Sequence, residues 1–389
     1  MAEQRELDIV IFGATGFTGR LVAEYLVVKN GHGLRWAMAG RSADKLAAVR
    51  DEVGAPEATP LVVADSGDPA SLKALAERTR CIISTVGPYQ LYGSDLVAAC
   101  AGAGTDYVDL CGEPLWMRDM ITEHRAAAAA SGARIVFSCG FDSIPFDLGV
   151  LFLQDAAKET LGTTCPRVRG RVRAMNGEFS GGTAASLGAT MQRIQKEPDL
   201  LAHLTDPFSL ADGFKGPEQP ADNKPMEDEV IGQWVAPFIM ATINSKNIHR
   251  SNALLGHPYG EDFRYDEMLV TGPGEKGRAA AEIVAKANPL GGDDAPKPGE
   301  GPSREAREAG NYDVLFVGTT ADGRELRVGV SGDMDPGYGS TSKMISEAAV
   351  CLIEECADLP GGIYTPAPAL GQRLIKRLMD HAGLDFHRE

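Results

Sequence analysis

Through the first 140 residues, short apolar runs alternate with helical stretches. Leu7-Asp8-Ile9-Val10-Ile11-Phe12 enters a glycine-rich turn and then a helix over residues 20–29. Trp36-Ala37-Met38-Ala39 precedes a helix opening near Ser42, and Leu61-Val62-Val63-Ala64 precedes one over 69–78. Cys81-Ile82-Ile83-Ser84-Thr85 leads to a helix over 94–103, and Tyr107-Val108-Asp109-Leu110 to one over 115–130. Arg134-Ile135-Val136-Phe137-Ser138 closes the series. Apolar runs of this length, separated by helices, predict parallel strands buried on both faces. With right-handed crossovers the fold class is α/β, and residues 1–140 form a doubly wound Rossmann domain. Ligands of such sheets sit at the carboxyl ends of the strands.

The pattern then changes. Arg167-Val168-Arg169-Gly170-Arg171-Val172-Arg173-Ala174 alternates with period two, as do the surroundings of Phe263-Arg264-Tyr265. Two strand-like stretches, 312–320 and 325–330, flank the hairpin signal Ala321-Asp322-Gly323. Residues 141–335 therefore read as a second, α+β domain for substrate binding or dimerisation, built on an antiparallel sheet. Its four alternating arginines form either a solvated outer face or a basic patch that steers an anion. Proline and glycine mark long loops over 216–225 and 291–302. Residues 336–389 are expected to return to the Rossmann domain as helices over about 341–357 and 369–382, joined by a loop over 361–366.

A chain of 389 residues has room for two such domains. The net charge of −16 argues against nucleic acid as a partner. Seven scattered cysteines with no CxxC pair fit reduced, buried thiols of a cytoplasmic protein, and neither they nor the seven histidines make a metal set. The polar residues 1–6 run straight into the first strand, so no signal peptide is expected. Apolar runs such as 234–243, which holds Pro237, are too short to span a bilayer, while peripheral membrane contact stays open.

Chemistry concentrates at the strand ends. Gly13-Ala14-Thr15-Gly16-Phe17-Thr18-Gly19 lies between strand and helix, where backbone amides and small residues cradle a pyrophosphate. NAD sites carry an acid about 20 residues further on for the ribose 2′-hydroxyl. Here Gly40 is followed by Arg41, Ser42 and Lys45, donors suited to a 2′-phosphate, which points to NADP(H). Asp65, Thr85-Val86-Gly87-Pro88 and Cys139 complete the expected cofactor contacts. Tyr89 is either a proton donor or a packed aromatic. Asp142, in Cys139-Gly140-Phe141-Asp142-Ser143-Ile144-Pro145, is either catalytic or, with Ser143, a helix cap. Ser180-Gly181-Gly182-Thr183-Ala184-Ala185-Ser186 precedes a helix over 187–196 and suits either a substrate carbonyl or phosphate or close packing. Tyr25 and Lys29 repeat the Tyr-x-x-x-Lys spacing of short-chain dehydrogenases, but in the first helix, away from the strand ends.

The chain resembles the saccharopine dehydrogenase-like oxidoreductases, and within them the trans-acting enoyl reductase branch, which works with polyketide synthases in actinobacterial lipid synthesis. The likeness rests on the glycine loop, Ala39-Gly40-Arg41-Ser42, Thr85-Val86-Gly87-Pro88-Tyr89 and Thr105-Asp106-Tyr107-Val108-Asp109-Leu110. It continues through Gly112-Glu113, Gly140-Phe141-Asp142-Ser143-Ile144-Pro145, Arg250-Ser251-Asn252-Ala253-Leu254 and Tyr259-Gly260. Lys297-Pro298-Gly299-Glu300-Gly301-Pro302-Ser303 and Thr365-Pro366-Ala367 carry it toward the end. Where that branch has a long apolar segment, this chain has the short, polar stretch 271–295. The resemblance implies an NADP(H)-dependent reduction of an activated C=C bond in an enoyl thioester or related lipid or polyketide intermediate. Hydride would pass to the β-carbon, and the proton would come from Tyr89, Tyr259, Asp142 or water. The expected partner is a small-molecule or carrier-bound acyl substrate, and the expected assembly a homodimer. Two alternatives stand beside this: C–N oxidoreduction of an amino-acid-type substrate, with Arg193 or Arg250 as carboxylate ligands, and an NADP(H)-sensing protein without turnover. An apolar tunnel favours enoyl substrates; a small cationic cleft favours amino acids.

Overall fold

β1 (Leu7–Phe12) is buried along its whole length, as a strand covered on both faces must be. The computed structural model describes residues 5–29, 33–177, 181–287 and 301–389. After β1 come α1 (Phe17–Val28), β2 (Trp36–Gly40), α2 (Ala43–Glu52), β3 (Leu61–Val63), α3 (Pro69–Arg78) and β4 (Thr79–Ser84). The short α4 (Tyr89–Tyr92), then α5 (Ser94–Ala103), β5 (Asp106–Asp109), α6 (Pro114–Ser131) and β6 (Arg134–Val136) complete the expected alternation. Local chemistry sets the starts: Asp68 caps α3 by accepting from the Ala70 amide, and Pro69 occupies its first turn.

The chain continues through α7 (Ile144–Leu161), β7 (Arg167–Asn176), α8 (Gly181–Lys196), α9 (Leu200–Thr205), β8 (Met226–Asp228) and β9 (Gln233–Pro237). Next are α10 (Ala241–Leu254), β10 (Arg264–Gly272), α11 (Gly274–Lys286), α12 (Arg304–Ala309), β11 (Asn311–Thr319) and β12 (Glu325–Gly332). The last elements are α13 (Thr341–Glu355), β13 (Gly362–Tyr364), α14 (Pro366–Arg377) and β14 (Leu384–Arg388).

Two seven-stranded sheets result, with orders β13-β6-β5-β4-β1-β2-β3 and β14-β12-β11-β7-β10-β9-β8. The first is parallel throughout. Its order reverses between β1 and β4, and the crevice beyond that switch point is where ligands bind. The register pairs Phe12 with both Ala39 and Ser84, setting Gly13, Gly40 and Thr85 side by side at the strand ends. The second sheet is mixed rather than purely antiparallel, because β7 and β10 run parallel while their outer neighbours alternate in direction.

Four short strands lie outside the expected ones: β8 and β9 in the second sheet, and β13 and β14 from the end of the chain. β13 falls in the stretch expected to be a loop and joins the first sheet, pairing Ile363 with Ile135. β14 follows the last helix and joins the second sheet, pairing Phe386 with Val330. Three and five residues are too few for periodicity to register. Instead of helices alone, the C-terminal segment supplies an edge strand to each sheet. One core cluster runs from Ile9 and Ile11 of the first sheet to Phe316 and Val328 of the second, and another covers the opposite face of the first sheet.

The arginine stripe on β7 is neither a solvated face nor a free basic patch. β7 lies at the centre of its sheet, and carboxylates from elsewhere in the chain meet it. Arg171, 1% exposed, donates through Nε to Asp228 at 2.6 Å and pairs with Asp266 at 2.7 Å. Arg167 also bonds Asp266, and Arg173 pairs with Asp313 and Glu389. Replacing Arg171 by methionine leaves the buried Asp228 unpaired and Asp266 with Arg167 alone, and is expected to cost about 3–5 kcal/mol. Arg173→Met, at a half-exposed pair, is expected to cost no more than about 1 kcal/mol. Urea unfolding midpoints read the difference; equal losses would contradict it.

Candidate active site

The glycine loop is shaped by close backbone contact. Gly13 has φ +92°, and a Cβ there would lie 2.6 Å from Val86 Cγ2 and 2.7 Å from Thr85 Oγ1. A Cβ on Gly19 would lie 2.2 Å from the Gly13 carbonyl oxygen. Gly16 caps α1 without a side-chain bond, and no acid stands in the first turn. The helix start is therefore bare to an anion, and Ala14, Thr15, Phe17 and Thr18 crowd it with nothing larger than one ring. These features fit a dinucleotide pyrophosphate. Phe17 is held edge-on by Tyr338 at 4.7 Å and lies beneath the Arg307 guanidinium. Gly301 closes on the same ring, since a Cβ there would meet it at 2.4 Å. Residues 297–300 of that motif lie outside the described residues.

At the carboxyl end of β2, where the adenosine is expected, Arg41 is exposed, as is Lys45 in the first turn of α2. Ser42 accepts from the Lys45 amide at 3.3 Å and so also caps α2. Asp65 closes the turn after β3, accepting from the Gly67 amide at 2.9 Å. At the other end, Thr85, Val86 and Pro88 are half-buried and Gly87 is exposed, beside the cradle. Cys139 lies deeper: it is fully buried, its thiol faces the Val136 carbonyl, and burial holds it well above the usual thiol range. Gly140, not Cys139, reaches the open space.

That space is a cavity of about 400 Å³ running from Thr18, Thr85 and Gly87 to Met240, Leu187 and Ile239. Among the described residues its lining contains no lysine, arginine or histidine, and Asp142 is its one charged side chain. Asp142 does not cap α7. Ser143 occupies the N-cap, without a side-chain cap bond. Asp142 Oδ1 is buried with no partner, and burial pushes the carboxyl up to about 7.

The tyrosines behave differently. Tyr89 lines the cavity with its ring, while its hydroxyl donates to the Ser84 carbonyl at 3.0 Å and accepts from the Leu110 amide at 3.1 Å. Burial holds this phenol well above its ordinary range. Tyr259 does not line the cavity: it is buried against Phe263 at 5.4 Å, in a turn held by Asn252. As a proton donor to a ligand in this cavity it is out of place. Tyr25 donates to Glu347 at 2.7 Å, on the far side of α1, consistent with its exclusion.

Neither arginine considered for substrate carboxylates faces the cavity. Arg193 pairs with Asp119 at 2.8 Å, and Arg250 is buried, donating to the Leu210 and Ile363 carbonyls. The small-residue run lies within the first turns of α8, which starts at Gly181 rather than at 187; Ser180 lies outside the described residues, while Gly182 and Ser186 line the cavity. Glu113, which no local pattern marks beyond its place in Gly112-Glu113, organises this wall. Its Oε1 accepts from the Tyr89 amide and the Ser186 hydroxyl, both at 2.8 Å, and its Oε2 from the Gln90 amide at 2.9 Å. Tyr338 and Thr341 were missed as well, because 200 residues of chain separate Thr341 from the Phe141 amide it binds at 2.9 Å. Among the described residues no group of His, Cys, Asp and Glu could hold a metal ion, and no helix is long and apolar enough to cross a membrane.

Residues 9–136 match the saccharopine dehydrogenase NADP binding domain. A Mycobacterium tuberculosis protein whose name, trans-acting enoyl reductase, is provisional is 40% identical over 405 aligned residues, covering 97% of this chain and 96% of that one. A trans-acting enoyl reductase of Mycobacterium ulcerans is 37% identical, covering 96% of each. Among solved structures, apo saccharopine dehydrogenase (L-Glu forming) of Saccharomyces cerevisiae superposes over 98% of this chain and 99% of that one, with a TM-score of 0.55 and 11% identity. That last likeness is one of fold.

Gly19→Ala is expected to abolish NADPH binding, because the new methyl collides with backbone inside the cradle. Arg41→Ala removes a charge-assisted bond worth about 1.5–3 kcal/mol. NADPH affinity should then fall about ten- to hundredfold, with NADH affinity changed little. Fluorescence titration of the reduced cofactors checks both; equal loss for NADH would remove Arg41 from the 2′-phosphate site.

Proposed function

The chain belongs to the family of the trans-acting enoyl reductases, NADP(H)-dependent oxidoreductases with a saccharopine dehydrogenase-type NADP-binding domain, and we propose that it reduces the activated C=C bond of an enoyl thioester. The observation that carries this reading is the cavity beside the cradle, apolar along most of its wall and without a cation among the described residues. A substrate with free carboxylates needs guanidinium or ammonium partners there, since an unpaired buried charge is costly. An enoyl thioester is neutral and apolar at its reacting end and needs none. Leu187 and Ile239, which line the cavity while 41% and 37% exposed, offer an apolar exit for the rest of an acyl chain or its carrier.

Bound NADPH supplies the hydride. The walls exclude water and hold the acyl group beside the cradle, which is a proximity effect. Hydride addition at the β-carbon would leave the α-carbon in need of a proton, and Asp142, the one carboxyl in the described lining, would give it. A carboxyl buried in an apolar wall keeps its proton near neutrality and so acts as a general acid. Tyr89 serves as wall, its hydroxyl already engaged on both sides.

The test is NADPH oxidation with a panel of enoyl thioesters, run beside 2-oxo acids with ammonia. Turnover of the imine-forming set with none of the thioesters would overturn the reading. Asp142→Asn is expected to lower kcat by about 10²–10⁴ with NADPH affinity retained. The active form of Asp142 is protonated and its carboxyl titrates at about 7. The rate should therefore be full in mild acid and fall as pH rises through about 7, and Asp142→Asn should lose that limb.

A further inference from the structure

Glu267 is fully buried on β10, away from the cavity lining, and the chemistry above does not use it. Its Oε1 accepts from Asn244 Nδ2 at 2.8 Å and its Oε2 from the Tyr265 hydroxyl at 2.6 Å. The strand pairing clears room for this arrangement: Gly170 stands opposite Glu267 on β7, and a Cβ there would lie 2.4 Å from the Tyr265 hydroxyl oxygen. Asn244 and Asn247 share one face of α10 at i,i+3 spacing. Asn247 Nδ2 donates to Ser143 Oγ at 2.8 Å, next to Asp142. The two asparagines thus reach from Glu267 to the Asp142–Ser143 segment.

Three oxygens in this region are buried without a partner: Asp142 Oδ1, Asn244 Oδ1 and Asn247 Oδ1. Turning the Asn244 amide over would set its oxygen against the Glu267 carboxyl, whereas at Asn247 the Ser143 hydroxyl can donate to the turned oxygen and the amide nitrogen is then left unpaired instead. Each orphaned acceptor costs about 1–3 kcal/mol unless a donor reaches it. A buried water bridging carboxyl and amide oxygens meets that need. Asp142 and Asp222 both act electrostatically on Glu267. Asp222 is partly exposed, and Lys246 of α10 and Arg171 of β7 face it. Tyr265 bonds Glu267, and the Asp266 carboxylate acts on both Tyr265 and Asp222.

We propose that Glu267 is a positioning residue that stores the proton returned to Asp142, across water held by Asn244 and Asn247, with Asp222 as the solvent end of the path. The proposal rests on the reading of Asp142 as proton donor. In the cycle, the Asp142 carboxylic acid gives its proton to the product and becomes a carboxylate. Glu267 passes its proton to Asp142, and Asp222 returns one from solvent to Glu267. One solvent proton is consumed for each hydride transferred, and no further reactant is needed. Burial supports the storage role by pushing the Glu267 carboxyl up to about 8, against the opposing hydrogen bonds from Tyr265 and Asn244.

The experiment uses the full chain with an enoyl thioester that the wild type turns over. Glu267→Gln keeps the side-chain shape and should leave NADPH affinity and the first turnover within about twofold, because Asp142 starts loaded. Steady-state kcat should fall about tenfold or more. NADPH oxidation should then show a burst of about one equivalent per site that the wild type lacks, with a solvent isotope effect on the slow phase. Asn247→Leu, which cuts the path and leaves Glu267 in place, should give the same burst and covers the case in which Glu267→Gln does not fold. Infrared difference spectra at neutral pH give a readout apart from turnover: Glu267→Gln and Asp142→Asn should each remove a separate protonated-carboxyl band. Equal loss of first turnover and steady state, or no band lost in Glu267→Gln, overturns the relay while leaving enoyl reduction standing. Failure of the wild type to reduce any enoyl thioester overturns the function and the relay together.

Discussion

The close seating of α7 between the two sheets is the constraint on which the site depends. Gly149 lets the helix approach the second sheet so nearly that a Cβ would stand 2.4 Å from the Phe316 ring. Gln154 bonds the backbone of Cys165 in both directions at 2.8 Å, tying the helix to the start of β7. Asp147 accepts from the Ala367 amide at 2.8 Å and ties it to α14. The chain turns into this helix at Gly140-Phe141-Asp142-Ser143, so the packing that locks α7 also sets where Asp142 stands. Interiors packed at crystal-like density transmit such a constraint with little slack.

Around that shaft the protein divides its polar groups by place. The surface carries the excess acid, whereas the described cavity wall has a single carboxyl. α10 is the opposite of an ordinary amphipathic helix, with Asn244, Lys246, Asn247, His249, Arg250, Ser251 and Asn252 all buried. Many of these groups have defined partners, such as the Ser251–Thr365 bond at 2.6 Å and the paired carbonyls on Arg250. Burial drives the His249 imidazole down to about 3, so it stays neutral. Such a network adds little net stability but admits few alternative arrangements. It orients the groups behind the cavity more tightly than an apolar core would.

The second sheet applies the same logic to charge. Arg171 satisfies two buried carboxylates from different strands, and desolvation there makes the pairing obligatory rather than merely favourable. Among the described residues none of these cations lines the cavity, whose wall offers shape and one carboxyl. An apolar wall also strengthens whatever dipoles face it.

The sequence by itself determined the features whose cause is local. The glycine spacing, the strand–helix alternation of the first sheet, Arg41 after β2 and the hairpin at Asp322 were legible because backbone sterics and periodicity act over a few residues. Phe141 to Pro145 identified the kinship for the same reason, as a contiguous block. Only the tertiary structure decided which polar residues are buried and what they meet. It carried Tyr259 away from the cavity, engaged the Tyr89 hydroxyl, gave Glu113 three donors and left Asp142 without a partner. It also drew Arg171 into the second sheet and added β13 and β14 from the end of the chain. Burial and partnership are set by residues that may stand 200 positions apart, as Phe141 and Thr341 do. Electrostatic character follows from those partners, so no pattern confined to neighbouring residues contains it.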